Sequence, residues 1–477
     1  MRGVLFALLC LSGPVLGQVQ QLGDGRDGVL EVTTLSRVIN AATALAADAA
    51  AGDPFVLVAD STPFSSGAVV LLLQSQWRSD GERYRVGEYS LHFVERVVGP
   101  KLELATPLNR PWRQGESQAV LVPQFTDVIV HSGTSLVAPA WNGASGGVLA
   151  LLANGTVRND GTLSANGAGF RGGAPREIGQ AELGCLGEDE AGPRGAERGE
   201  GALVGGFGTT FTGRRNNDSG GGGGACAYSG GGGGAGLGEG GQGGFSGDGK
   251  RDVGGFGAAA LTWAGLLFGG GGGATNGTFG RGRGGGRGGG GVFLRARTLE
   301  GAGLVVADGQ EGPATDSRFG GGGGAGAGGS VVVEVVEAAR CALFANGGAG
   351  GAATDNGPGG GGGGGHVSLR AGRVAECPMS VLGGLAGRVP AGDYGAGAGL
   401  PGKSSVLEVP PSSSPFPSGP GVTIQRLGCG CGSDAGAVPG LALAFGAMRR
   451  RRRERVASGR HSDGAGSTGS ASPRSAR

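Results

Sequence analysis

Two stretches decide the fold: GGSVVVEVVEAARCALFANGGAGG, residues 328–351, and GGHVSLRAGRVAECPMSVLGGLAG, residues 364–387. They align without a gap at an offset of 36 residues. Each opens on Gly-Gly and continues with apolar residues at every second position: Val331, Val333 and Val335 in one, Val367, Leu369 and Ala371 in the other. Period-two alternation sends one set of side chains to one face of a strand. A single such strand cannot bury that face, but stacked copies can. The same offset carries Cys341 onto Cys377 and Arg340 onto Glu376. Equivalent residues of neighbouring parallel coils sit about 4.8 Å apart, within the Cα separations of about 4.4–6.8 Å that a disulfide accepts. A Cys341–Cys377 bridge is therefore expected.

Working outward, two earlier units have the same form, from Gly146 (GGVLALLANGTVRNDGTLSANGAGFRGG) and from Gly290 (GGVFLRARTLEGAGLVVADGQEG). Three units carry Ala-Asn/Asp-Gly near their ends: Ala165-Asn166-Gly167, Ala307-Asp308-Gly309 and Ala345-Asn346-Gly347. Strand runs with Gly, Asn and Asp corners predict a parallel β-solenoid over residues 141–385. Between the units GGGGGA recurs, ending at Ala225, Ala235, Ala274 and Ala325, and seven glycines run from Gly359 to Gly365. Such uniform blocks predict extended threefold polyglycine helices that hydrogen-bond side by side, because glycine lets backbones approach closely. The alternative is a set of flexible linkers.

Glycine supplies 115 of 477 residues, charged residues only 16% and aromatics 5%. This composition excludes an ordinary enzyme-like core over most of the length, and the absence of a Gly-X-Y register excludes collagen. A net charge of +2 gives no general attraction to nucleic acid. Residues 24–140 hold the least glycine. Short alternating runs there, among them GAVVLLLQSQ and KLELATPL, predict a small, bent, β-barrel-like domain of SH3-like kind. Val38–Ala51 reads as one helix or a linker. The fold class is all-β: a barrel-like domain, a glycine-rich solenoid, a disordered Pro/Ser/Gly-rich stalk at 386–428 and a short apolar tail.

The chain begins MRGVLFALLCLSGPVLGQ, which reads as a secretory signal peptide, residues 1–17, cut between Gly17 and Gln18. Cys10 lies inside its apolar region. Export permits disulfides, and with Cys341–Cys377 assigned, Cys185–Cys226 pairs by elimination. Near the other end Cys429 and Cys431 precede a 14-residue apolar run, Ala435–Met448, and then Arg449, Arg450, Arg451, Arg452 and Arg453. The run is shorter than the ~20 residues of a comfortable membrane span, and the arginines fit the cytoplasmic side.

The order Cys-Gly-Cys, apolar run and arginine cluster resembles the MYXO-CTERM sorting signal of myxobacterial surface proteins. The resemblance implies export to the cell surface or outer membrane, with release to the outside as a further outcome. It also implies processing by a membrane protease of the rhomboid-like or CPBP type, and anchoring through a cysteine. The family's tail ends soon after its arginines, whereas here residues 454–477 follow, rich in Ser, Gly and Arg. Residues 24 to about 385 also resemble secreted bacterial glycine-rich, adhesin-like β-helix proteins, and the glycine blocks resemble the glycine sandwiches of some phage adhesin tips.

Chemistry is sparse. His92, His131, His366 and His461 have no partner at metal-ligand spacing. Arg281, Arg283 and Arg287 spell an RGG-like segment, which behind a signal peptide reads as a glycine layer with exposed arginines. Gly397–Ser404 spells a phosphate loop with Lys403 and Ser404 in place, but lacks the strand and helix that such a loop needs. Glu334, Arg370 and Arg295 read as scattered single charges. Asp and Glu residues at 182, 188, 189, 190 and 197 read as a solvated insertion. No catalytic, metal or cofactor residue is assigned, and the expectation is a protein that is not an enzyme. It would bind polysaccharide or another surface through repeated solenoid faces, make no nucleic-acid contact and meet the membrane only through its terminal segment. The alternatives are a β-helix polysaccharide lyase or hydrolase, and a purely structural wall component.

Overall fold

Val331, Val333 and Val335 do stand on Val367, Leu369 and Ala371, rung upon rung, in the computed structural model of the chain. It describes residues 22–79, 81, 83–177, 195–246, 253–262 and 265–409. The expected signal peptide with Gly17 and Gln18, the sorting residues Cys429, Cys431 and Arg449–Arg453, and Cys185, His461 and the 454–477 tail lie outside these.

Every named element among the described residues is a strand, apart from one 3-10 turn at Arg83–Arg85. A first wall of parallel strands runs in the order Leu30–Val32, Val128–Val130, Val148–Asn159, Gly291–Glu300, Ser330–Arg340, His366–Glu376 and Lys403–Glu408. A second parallel wall stacks Ser135–Val137, Thr162–Ser164, Leu304–Val306, Leu343–Phe344 and Met379–Ser380. Between the walls lie the inward residues of each coil: Leu149 and Leu151, Val292 and Leu294, Val331 and Val333, Val367 and Leu369, closed by Leu163, Val305 and Leu343. This is the expected β-solenoid. Cys341 and Cys377 are bonded, with Cα atoms 4.5 Å apart, directly after the paired Arg340 and Glu376.

The stack is longer than the sequence suggested at both ends. Leu30–Val32 and Val128–Val130, expected within the barrel-like domain, are first-wall strands. Lys403–Glu408, expected within the stalk, pairs with His366–Ala371. The barrel is thus an insertion, leaving the stack after the first strand and returning at Gln124–Phe125. Its six antiparallel strands run Ala42–Ala44, Ser117–Val122, Val69–Gln74, Tyr89–Val98, Lys101–Leu104, Phe55–Leu57. Leu45 then pairs with Val58, and the Ala46 and Ala59 amides donate to the Leu57 and Ala44 carbonyls, which closes the ring. The helix or linker considered for Val38–Ala51 is instead the strand Ala42–Ala44 with bridges at Leu45 and Ala49.

The run VVLLLQ at Val69–Gln74 shows why the two bodies hold together. All six residues are buried. Val70 and Leu72 face the barrel core with Val56, Leu102 and Trp112. Val69, Leu71 and Leu73 face outward onto Val148, Ala150, Leu152 and Phe293 of the first wall. A strand with apolar residues on both faces needs cover on both, and the solenoid's outer face supplies the second.

The glycine blocks are ordered. Amides of Gly231 and Gly234 donate to the carbonyls of Gly322 and Ala325. Those of Gly232 and Ala235 go to Gly222 and Ser219, and those of Gly233 and Gly236 to Gly241 and Gly238. Every third residue therefore meets the same neighbour, and three neighbours surround each segment. That is the hydrogen-bond logic of a threefold extended helix packed laterally, and it satisfies backbone donors in a layer with almost no side chains. A Cβ on Gly273 would overlap the Gly222 carbonyl, and one on Gly324 the Gly232 carbonyl. The composition follows from this packing.

Candidate functional site

The solvent face of the glycine layer is built by three adjacent threefold segments continuing from the second wall. Amides of Gly309, Gly312 and Thr315 donate to the carbonyls of Asn346, Ala349 and Ala352, and those of Gly347, Gly350 and Ala353 to Leu382, Leu385 and Arg388. The threefold turn brings every third residue to the same side. The outward positions are Asp308, Glu311 and Ala314, then Asn346, Ala349 and Ala352, then Leu382, Leu385 and Arg388. The inward positions are held to glycine: a Cβ on Gly348 would strike the Gln310 carbonyl, on Gly351 the Pro313 carbonyl, and on Gly384 the Gly348 carbonyl.

At a rise of about 3.1 Å per residue, side chains along each segment recur every ~9.3 Å. A groove of about 370 Å³ crosses this array, lined by Asp308, Glu311, Asn346, Ala349, Leu382 and Leu385. Leu382 and Leu385 are 65% and 70% exposed and line the groove together. The groove thus offers carboxylates, an amide and apolar ledges in one repeating surface.

Its upper row is fixed by an Asx ladder. The Asp308 amide donates to Asn166 Oδ1 at 2.6 Å, the Asn346 amide to Asp308 Oδ1 at 2.6 Å, and the Leu382 amide to Asn346 Oδ1 at 2.9 Å. The repeated Ala-Asn/Asp-Gly of the sequence is this ladder. Burial pushes the Asp308 carboxyl above its usual range, against the opposing pull of the Asn346 hydrogen bonds.

The charges read as scattered are brought together, which corrects that reading. Arg295, Glu334 and Arg370 occupy one register position on three successive first-wall strands. Arg295 Nε donates to Glu334 Oε2 at 2.7 Å. Tyr89 of the barrel packs its ring on Phe293 at 5.3 Å, and burial, helped by the Glu334 charge, pushes its phenol up. The barrel covers this rung, so it acts as a joint between the two bodies. Glu197, expected in a solvated insertion, is also corrected: it is buried and its Oε2 accepts the Ala174 amide at 3.0 Å.

The remaining candidates are structural. His92 lies inside the barrel with Nε2 2.8 Å from Ser90 Oγ, and burial, with the Arg110 charge, pushes it down to about 4. His366 is pushed down by burial and its Nδ1 lies 3.1 Å from the Gly265 carbonyl. His131 stands exposed, 2.8 Å from Glu31. Arg287 turns inward onto the Gly167, Trp141 and Gly169 carbonyls, and Arg283 Nε donates to the Ala314 carbonyl. Lys403 and Ser404 lie in a strand, not a phosphate loop. Cys226 is fully buried. The outward period-three positions were not picked out from the sequence, although the G-G-X spacing of Asn346 to Ala352 carries the signal.

No protein family and no curated protein matches the sequence. Three solved structures are similar, all of them phage tailspikes. That of Pseudomonas phage LKA1 has 13% identity, covering 28% of this chain and 25% of that one, with a TM-score of 0.14. That of Acinetobacter baumannii bacteriophage AP22, solved in complex with A. baumannii capsular saccharide, has 12% identity, covering 83% of this chain and 66% of that one, with a TM-score of 0.17. That of Pseudomonas phage phi297 has 10% identity, covering 79% of this chain and 59% of that one, with a TM-score of 0.16. Against these tailspike neighbours the expectation that the protein is not an enzyme is withdrawn.

Proposed function

We propose that this chain is an exported, surface-displayed protein that binds polysaccharide along the period-three face of its glycine layer. The observation that carries the reading is the array itself. Leu382, Leu385, Asn346, Asp308 and Glu311 project at a fixed repeat from a backbone whose inward positions leave no room for a Cβ. The ~9.3 Å repeat along a segment is comparable with the length of two sugar rings, so a polymer laid along it meets the same chemistry repeatedly. Each contact is weak, and their sum depends on polymer length. The apolar ledges suit the hydrophobic faces of pyranose rings, and the amide and carboxylates suit their hydroxyls.

Display rests on the two terminal signals of the sequence: a signal peptide cut at Gly17–Gln18, and the Cys429/Cys431 and Arg449–Arg453 segment handled by a sorting protease. Fractionating cells and sequencing the mature ends tests this part; recovery only in the cytosol with Met1 intact would refute it. Binding is tested by co-sedimentation with insoluble polysaccharides and with oligomers of increasing length, alongside an assay for new reducing ends. Affinity should climb with oligomer length and collapse in Leu382→Asp/Leu385→Asp. Length-independent binding, or binding untouched by that substitution, would remove the reading.

A further inference from the structure

Aromatic residues stand in four of the loops that join the threefold segments: Tyr228, Phe279, Phe319 and Tyr394. Three of these gather. The rings of Phe279 and Phe319 lie 5.5 Å apart and those of Tyr228 and Phe319 6.4 Å apart, all edge to face. Tyr228 Oη is 3.0 Å from Thr278 Oγ1, and Gly277 bridges to Gly320, which ties the three loops together. Phe279 is nonetheless 70% exposed.

The backbone there is strained. Among the described residues five non-glycine positions have positive φ, and three are aromatic residues of these loops: Tyr228 at 67°, Phe279 at 59° and Tyr394 at 46°. A bulky L-residue in the left-handed region is disfavoured by contact between its Cβ and the backbone, and glycine or asparagine relieves this. In a chain with 115 glycines, relief was near at hand. Strained aromatic residues kept at an exposed loop cluster point to a requirement for the ring itself.

Two cations flank the rings. Arg318 holds its guanidinium over Phe319, 4.9 Å from the ring centre, and Arg281 follows Phe279 by two residues and is exposed. Neither has an ion-pair partner among the described residues. Two carboxylates lie nearby: Glu177 Oε2 accepts the Gly280 amide at 2.8 Å, beside Arg281, and the exposed Asp316 lies 3.9 Å from Arg283.

We propose that Tyr228, Phe279, Phe319, Arg281 and Arg318 form a second saccharide site, specific for a uronic acid residue. The apolar face of the pyranose lies on the exposed Phe279 ring. Its carboxylate is taken by the Arg281 or Arg318 guanidinium, whose planar fork matches two carboxylate oxygens. This site is separate from the period-three face and reads one sugar residue, not the length of a polymer.

Calorimetric titration of the intact protein with short oligogalacturonates, alginate oligomers and hyaluronan fragments tests it, with the methyl ester of the bound oligomer as the uncharged control. Binding of at least one uronate series is expected, with esterification weakening it about tenfold or more. Phe279→Asn should lose a similar factor in affinity while its melting temperature holds or rises, because asparagine accepts the left-handed backbone. A merely structural Phe279 would give the reverse: lower stability with affinity intact. Arg281→Gln/Arg318→Gln should abolish the preference for the acid over its ester. Failure of all three series to bind, equal binding of acid and ester, or full affinity in folded Phe279→Asn would each overturn the proposal.

Discussion

Arg295 and Glu334, 39 residues apart in sequence, form an ion pair with side-chain exposures of 0% and 2% where the barrel lies on the solenoid. Their juxtaposition follows from the parallel register, which sets Arg295 beside Glu334 and Glu334 beside Arg370. Removing one member of a buried pair strands the other charge, at about 3–5 kcal/mol, whereas replacing both by apolar residues is often neutral or better. Glu334→Ala should therefore lower unfolding stability by roughly that amount in denaturant titration. Arg295→Met/Glu334→Leu should recover most of it. A single variant as stable as the parent would show that the joint does not depend on this pair.

The Cys341–Cys377 bridge closes a 36-residue loop around one full coil. Constraint of the unfolded chain by such a loop is worth about 2–4 kcal/mol. Cys341→Ser/Cys377→Ser, or reduction of the parent, should cost about that much. The effect should be greatest for amide exchange in the last two coils, since a solenoid transmits stability mainly to its neighbours.

Positions in the glycine layer differ sharply by direction. Gly273→Ala places a methyl group on the Gly222 carbonyl and should unfold the layer or prevent its formation. Ala349→Gly, at an outward position, should cost no more than about 1 kcal/mol, the usual entropy of an added glycine. Thermal melts and protease sensitivity of the two variants measure the contrast; equal behaviour would contradict the threefold packing.

Asp308 carries a charge within an otherwise neutral Asx ladder. Burial raises its folded carboxyl pKa above the unfolded value, so the folded chain binds more protons as pH rises through the carboxylate range. Stability is thereby lost on going up through that range, and the penalty persists at neutral pH. Asp308→Asn keeps an oxygen for the Asn346 amide and removes the charge. It should raise the melting temperature at pH 7 and leave little difference at pH 3.

His92 works the other way. Its pKa is depressed to about 4 in the barrel against 6.5 for the free side chain. Between these values the unfolded chain binds the extra proton, so stability falls as pH drops from 6.5 towards 4, by on the order of 3 kcal/mol in total. His366, also pushed down by burial, adds to the same slope. Denaturant midpoints of the parent and His92→Gln across this window should diverge, with the variant the flatter.

The sequence by itself determined the coil. Alternation at Val331, Val333 and Val335, the 36-residue offset and the cysteines at equal positions fix strands, stacking and bridge. They are local or periodic signals, and a period survives without knowledge of distant residues. The glycine blocks likewise announce close backbone approach, since only a missing Cβ permits it. Tertiary structure decided what the period could not. It assigned Leu30–Val32 to the stack, because its neighbour Val128–Val130 returns only after the whole barrel has been made. It joined Arg295 to Glu334, and Tyr228 to Phe279 and Phe319, across loops of unequal length. Side chains that meet through such insertions have no fixed spacing in the chain, and only the packed backbone places them side by side.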